Sequence, residues 1–240
     1  MTKEELYKAL VEKRKACKIC EGLTNPSVVD GGKYDSNQIG PWSLWQGNLD
    51  AKLLIVGQDW SDVDYLRKWE GRDESRSNPT DCNLQHLLEI LGVKIKNPRE
   101  TQTELIFMTN LILCLKEGER QSPVKKKQVG LQASVKDEWI KQCSSNFTKQ
   151  LIDIIKPKVI IVLGEKPSKA ILDAYQVRYP KTSLAEMVNK SPYKLTETTV
   201  LFPVYHCGAG GINRNRSMKE QENDWRKIKE WLEKNEGVLC

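Results

Sequence analysis

At 240 residues, and with roughly 100–200 residues per domain, the chain reads as a single domain over residues 1–240, long enough to bury a core. Lys plus Arg number 38 against 32 Asp plus Glu, a net charge of +6 on a chain that is 29% charged and 39% apolar. That balance permits a polyanionic partner and excludes a disordered composition, and without a run of ~18 apolar residues it also excludes a membrane-spanning helix.

The N-terminal stretch MTKEELYKALVEKRKACKIC reads as a charged amphipathic helix with nothing resembling a secretory signal. A cytoplasmic location with reduced thiols is the expectation, so the seven cysteines need an explanation other than disulfides. Val28 to Asn48, rich in Gly, Asn and Ser and carrying Trp42 and Trp45, reads as an ordered loop. Four short apolar runs then alternate with helical periodicity: Lys52–Val56, Leu105–Leu113, Lys158–Leu163 and Val200–Tyr205. Helical spacing joins Leu84, Leu87, Leu88 and Leu91, then Ile140, Phe147, Leu151, Ile152 and Ile155, then Ala170, Ile171 and Ala174. A last helix over Ser217–Asn235 places Trp225, Ile228, Trp231 and Leu232 on one face, which reads as core packing. The predicted fold is α/β: helices on both sides of a central, mainly parallel four-stranded sheet, in three layers. Lys116 to Lys141 holds seven basic and four acidic residues, including Lys125-Lys126-Lys127, and is either a solvated insertion or a loop that touches phosphates.

Cys17 and Cys20 form a C-x-x-C pair, and Cys114 and Cys143 flank the second apolar run and the following helix. Four thiolates suit a tetrahedral zinc or a four-iron cluster, and spacing does not choose between them. Cys82, Cys207 and Cys240 are left over. Ligands in open α/β sheets bind at the carboxyl ends of strands. There the sequence offers Gly57-Gln58-Asp59-Trp60-Ser61-Asp62 after the first run, Asn110 inside the second, and His206 after the fourth. An amide within an apolar strand is costly unless paired, so Asn110 is either satisfied internally or kept to read a ligand. His206 is one of only two histidines; it opens a glycine-rich basic segment containing Ile212, Asn213, Arg214 and Arg216. The other, His86, falls on the polar side of a helix.

Taken in order, Cys17-x-x-Cys20, Gly57-Gln58-Asp59, Thr109-Asn110, Cys114, Cys143 and Tyr205-His206 resemble the uracil-DNA glycosylase superfamily, and the cysteines resemble its iron–sulfur branch, often called family 4. The resemblance implies a monomeric DNA glycosylase carrying a structural 4Fe-4S cluster on Cys17, Cys20, Cys114 and Cys143. It implies that Asp59 orients water and stabilises the sugar cation, that His206 stabilises O2 of the leaving base, and that Asn110 reads the pyrimidine edge. Gln58 would line the pocket mainly through its backbone, with Trp60 beside it; Arg214 and Arg216 would hold phosphates near Asn213, and Ile212 would fill the vacated stack. Three departures stand out. Trp60-Ser61-Asp62 replaces Pro-Tyr-His, no phenylalanine lies between Asp62 and Leu84, and Cys207-Gly208 replaces Pro-Ser, which predicts a looser loop. The substrate is then uracil or a pyrimidine with a larger 5-substituent, as in modified viral DNA, which would make the protein an antiviral factor. A non-catalytic iron–sulfur or zinc protein that binds nucleic acid is the competing reading. A nucleotide-binding α/β protein is disfavoured, since no complete G-x-G-x-x-G or Walker pattern follows a strand.

Overall fold

The computed structural model describes residues 1–40, 47–71, 78–95, 106–116, 135–209 and 216–235. Helix α1 (Lys3–Lys15) starts in a capping box in which the Thr2 hydroxyl accepts from the Glu5 amide while the Glu5 carboxylate accepts from the Thr2 amide. Strand β1 (Leu23–Thr24) and a 3₁₀ segment (Pro26–Gly32) follow, then β2 (Leu53–Gly57), α2 (Val63–Lys68), α3 (Pro79–Ile90), β3 (Ile106–Asn110) and β4 (Leu115–Lys116). The chain continues through α4 (Asp137–Cys143), a π turn (Ser144–Thr148), α5 (Lys149–Ile155), β5 (Val159–Leu163), α6 (Glu165–Ala174), α7 (Leu184–Asn189), β6 (Tyr193–Lys194), β7 (Val200–Val204) and α8 (Met218–Lys234).

The main sheet has the order β3-β2-β5-β7-β6. Strands β3, β2, β5 and β7 are parallel, and the short β6 runs antiparallel at the edge. All four strands expected from the sequence are present, and β6 is an addition to them. Every residue of β5 is buried, as a central parallel strand covered on both faces requires. Strand alternation divides the core in two. Leu54, Val56, Phe107, Ile160, Val162 and Leu201 face α1, α5 and α6 through Leu10, Val11, Leu151, Ile152, Ile171 and Leu172. Leu53, Ile55, Ile161, Phe202 and Val204 face α3 and α8 through Leu84, Leu87, Leu88, Trp225, Ile228 and Leu232. The result is the three-layer α/β/α arrangement.

Trp231 packs edge-on against Phe202 at 5.4 Å, completing the stripe predicted on α8. His86 is exposed and pairs with Glu222 on α8 at 2.9 Å. The elements without a sequence forecast are short. The six-residue helices α2 and α7, capped by Asp62 and Ser183, span under two turns and show no period, and the two-residue pair β1–β4 carries no alternation. Among the described residues no helix is long and apolar enough to cross a membrane.

Successive connections turn opposite ways at the boundary between β2 and β5, since β2 leads to β3 on one side and the chain then crosses to β5 on the other. A crevice opens at such a switch point beyond the carboxyl ends of the strands.

Candidate active site and the four-cysteine cavity

Asp59 stands two residues beyond the end of β2, at that crevice. The carboxylate is held at both oxygens: Oδ1 pairs with Lys116 Nζ at 2.8 Å, and Oδ2 accepts from Gln58 Nε2 at 2.9 Å. Gln58 therefore acts through its side chain as well as its backbone, whose carbonyl accepts from the Ile112 amide at 2.9 Å. Lys116 is missing from the sequence-level site, because a single lysine two residues after Cys114 carries no signal that it reaches another strand end.

Asn110 is the last residue of β3 and is half-buried, so it is a rim residue instead of a polar group inside the strand. It pairs in register with Gly57, where any Cβ would collide with Asn110 Oδ1. Glycine at 57 is thus what lets the amide lie across the end of β2. Among the described residues nothing hydrogen-bonds the Asn110 side chain, which leaves the amide available to a ligand.

His206 follows β7. The Gly208 amide donates to its Nδ1 at 3.0 Å, so the neutral ring carries its proton on Nε2. A Cβ on Gly208 would come within 2.8 Å of the ring and 2.9 Å of Thr80 Oγ1, so this contact requires glycine. The expected looseness of this loop is corrected at its start. Cys207 is fully buried, its carbonyl accepts from Asn83 Nδ2 at 2.7 Å, and its thiol donates to Thr80 O at 3.6 Å. The Cys207-Gly208 pair is thus held in place at the start of this segment.

The imidazole lies at an accessible rim, yet surrounding protein atoms push its pKa below the ordinary histidine value, with the negative charge of Asp59 opposing the shift. Asp59 and His206 are thus near enough to sense each other across the crevice, and His206 is neutral at neutral pH. If neutral His206 is the working form, the acid limb of a single-turnover pH–rate profile should lie below pH 6.5, and His206→Asn should abolish that limb. A limb at or above 6.5 in the wild type would show that the imidazolium is the working form.

Trp60 packs edge-to-face on Tyr65 at 5.5 Å and lies against the small apolar cluster of Val29, Leu66 and Leu115. Ser61 is fully buried, and Asp62 caps α2 by accepting from the Tyr65 amide at 2.8 Å. Arg216, expected on phosphate, spends its fork on the buried Asp224 at 2.6 and 2.7 Å and lies over the Tyr205 ring, so it braces α8. Ile212, Asn213 and Arg214, the Lys125–Lys127 run, Trp42, Trp45 and Cys240 lie outside the described residues.

Cys17, Cys20, Cys114 and Cys143 line one small cavity of about 20 Å³, closed by Arg14, Leu23, Leu113 and Phe147. The fold brings the two pairs together from either side of the β1–β4 ladder. The thiol of Cys143 donates to Cys20, holding Cys20 down at about 7 and Cys143 up, while burial first and then Cys17 and Cys20 push Cys114 up to about 12. Among the described residues no three His, Cys, Asp or Glu side chains draw together as a site for one ion. Arg14 is 1% exposed, and its Nη1 donates to Asp35 Oδ1 at 2.7 Å. Its Nε and Nη2 find no acceptor among the described residues.

Residues 44–233 match the family described as the uracil DNA glycosylase superfamily. The chain belongs to that superfamily and is a DNA N-glycosylase. It is 30% identical over 190 residues to the type-4 uracil-DNA glycosylase of Sulfurisphaera tokodaii, an alignment that covers 78% of this chain and 77% of that one.

Proposed function

We propose that the protein flips a pyrimidine nucleotide out of DNA and hydrolyses its N-glycosidic bond, accepting uracil and pyrimidines with larger 5-substituents, and leaves an abasic site. The observation that carries this reading is the convergence of three strand ends on one crevice: Asp59, held by Lys116 and Gln58; His206, which feels its charge; and the Asn110 amide, which has no partner among the described residues. Extrusion is required because the glycosidic carbon is unreachable in the stack, at a cost of a few kcal/mol. As the bond breaks, its electron pair moves onto the base and positive charge develops on the sugar. The Nε2 proton of neutral His206 then meets the growing charge on O2, and a neutral donor gives up little to an anion that is itself a good leaving group. Asp59 faces the sugar, stabilises its charge, orients the attacking water and takes its proton. The Asn110 amide presents a donor and an acceptor to the pyrimidine edge. Room beside C5 is supported by Trp60, whose ring is engaged by Tyr65 and the Leu66 cluster, and by Ser61, whose small side chain is buried. Defence against modified viral DNA is the setting in which such tolerance is useful.

Cys17, Cys20, Cys114 and Cys143 would hold a four-iron, four-sulfur cluster. All four thiols line one cavity, so together they supply the four thiolates that such a cluster takes. Nε and Nη2 of buried Arg14 at that cavity, unpartnered among the described residues, fit a group rich in anionic sulfur acceptors. When bound, the cluster braces the segments that carry the cysteines. Purified protein should be brown with about four irons per chain, and Cys114→Ala should lose the iron. Arg14→Met should lower the iron bound per chain and hasten its loss to a chelator, read by absorbance. Colourless protein containing zinc would reassign the cavity and leave the active site unaffected.

Testing the activity requires only oligonucleotides carrying uracil or a 5-substituted pyrimidine, followed by alkaline cleavage of abasic sites. Intact strands with every base, at protein concentrations that bind DNA, would overturn this substrate reading.

A further inference from the structure

We propose that Lys116 is the positioning residue for Asp59, and that through it the four-cysteine lobe sets the aim of the catalytic carboxylate. The inference rests on the role given to Asp59 above.

Lys116 is 4% exposed and its Nζ lies 2.8 Å from Asp59 Oδ1, while Asp59 is 13% exposed. The lysine is the more buried of the two, and its ammonium is engaged with the carboxylate, which favours a role exerted through Asp59. A carboxylate on a short side chain rotates freely unless both oxygens are held, and Gln58 holds only Oδ2. Lys116 fixes the other oxygen, and a displacement of about 1 Å in a reacting group can cost ~10²-fold in rate.

The lysine is itself fixed from two directions. Its amide donates to Ser61 O at 3.1 Å, and it bridges Asp62, so it is tied to the segment that follows Asp59. It also pairs with Leu23 in the β1–β4 ladder. Cys20 lies three residues before Leu23 and Cys114 two before Lys116, so both strands of that ladder leave the four-cysteine cavity. A group that holds the cysteines therefore holds the ladder, the ladder holds Lys116, and Lys116 holds Asp59. This explains how a site without a step in the hydrolysis can matter to it.

The test compares Lys116→Met and Asp59→Ala with wild type in steady-state kinetics on the best oligonucleotide substrate, with iron content measured alongside. Iron-loaded Lys116→Met is expected to lose about 10²-fold in kcat with KM changed less than about threefold, since ground-state contacts to DNA are untouched. Lys116→Ala opens a space beside Asp59, and its kcat is expected to rise at least ~10-fold with added ethylammonium but not with tetramethylammonium at equal ionic strength. That rescue decides the matter if Lys116→Met does not fold. Wild-type kcat in iron-loaded Lys116→Met, a loss confined to KM, or no rescue of Lys116→Ala would each overturn the inference. If Asp59→Ala itself retains wild-type activity, it is the role of Asp59 that fails; an inactive Asp59→Ala beside a fully active Lys116→Met refutes Lys116 alone.

Discussion

Replacing Asp59 by alanine is expected to slow single-turnover base release by ~10²–10³-fold, and His206→Ala by at least ~10²-fold, the scale of a lost electrostatic or proton-transfer contribution. In the proposed reaction the two groups serve opposite ends of the breaking bond: a negative charge for the sugar and a neutral N–H for the base. The double variant should lose less than the product of the single losses, because each group stabilises charge that the other helps to separate. DNA affinity, measured by fluorescence anisotropy, should stay within about threefold of wild type, since neither side chain is placed to hold the backbone. Wild-type rates in both single variants would refute the assignment of the crevice as the site of chemistry. Removing Asp59 also leaves Lys116 buried beside an unfilled space, so Asp59→Asn belongs in the comparison; it keeps the shape and removes the charge.

Release of a 5-substituted pyrimidine at a rate within about tenfold of uracil is the second large effect expected. Discrimination against a methyl group at C5 depends on a rigid side chain packed against that carbon, and a close steric block is worth far more than a missing contact. The residues in the corresponding segment are directed elsewhere: Trp60 onto Tyr65, Ser61 into the interior, and Asp62 onto the Tyr65 amide in the first turn of α2. Duplexes carrying uracil, thymine, 5-hydroxymethyl and glucosylated pyrimidines, assayed in parallel, provide the measurement. If only uracil is excised, a residue that closes the C5 side is present and strict uracil repair is the function. Asn110→Asp refines the same experiment. It replaces the amide donor with an acceptor, so preference should move towards a pyrimidine with an amino group at C4.

Much of the architecture was legible because buried parallel strands must be apolar along their whole length, and Lys158–Leu163 and Lys52–Val56 announce themselves in that way. The helices on both faces carry enough turns for a period to emerge, as α3 and α8 do. That Asp59 and His206 lie at strand ends was legible, because the apolar runs before them mark where each strand stops. The structure altered the reading of each neighbour. Asn110 proved to end its strand, and Cys207 proved to be an anchor, because its burial depends on Thr80 and Asn83 from a helix far away in sequence. Lys116 was illegible for the same reason: its partner lies 57 residues earlier, and the two-residue ladder that carries it has no pattern. The orphaned donors of Arg14 were hidden too, since α1 reads as an ordinary charged helix until its one buried arginine is seen beside four thiols.

The π turn at Ser144–Thr148 has a rotational consequence for the helical stretch Asp137–Ile155 that it interrupts. A π turn adds one residue to the α repeat, and one residue in an α-helix turns the following side chains by ~100° about the axis. Before it, Cys143 points at the cavity; after it, Leu151, Ile152 and Ile155 point at the sheet. One continuous rod thus presents the thiol and the core residues on a common side, which a uniform α-helix would turn apart. Its extra residue acts as a phase correction, allowing the thiol and the core to be served by a single helix with no intervening loop.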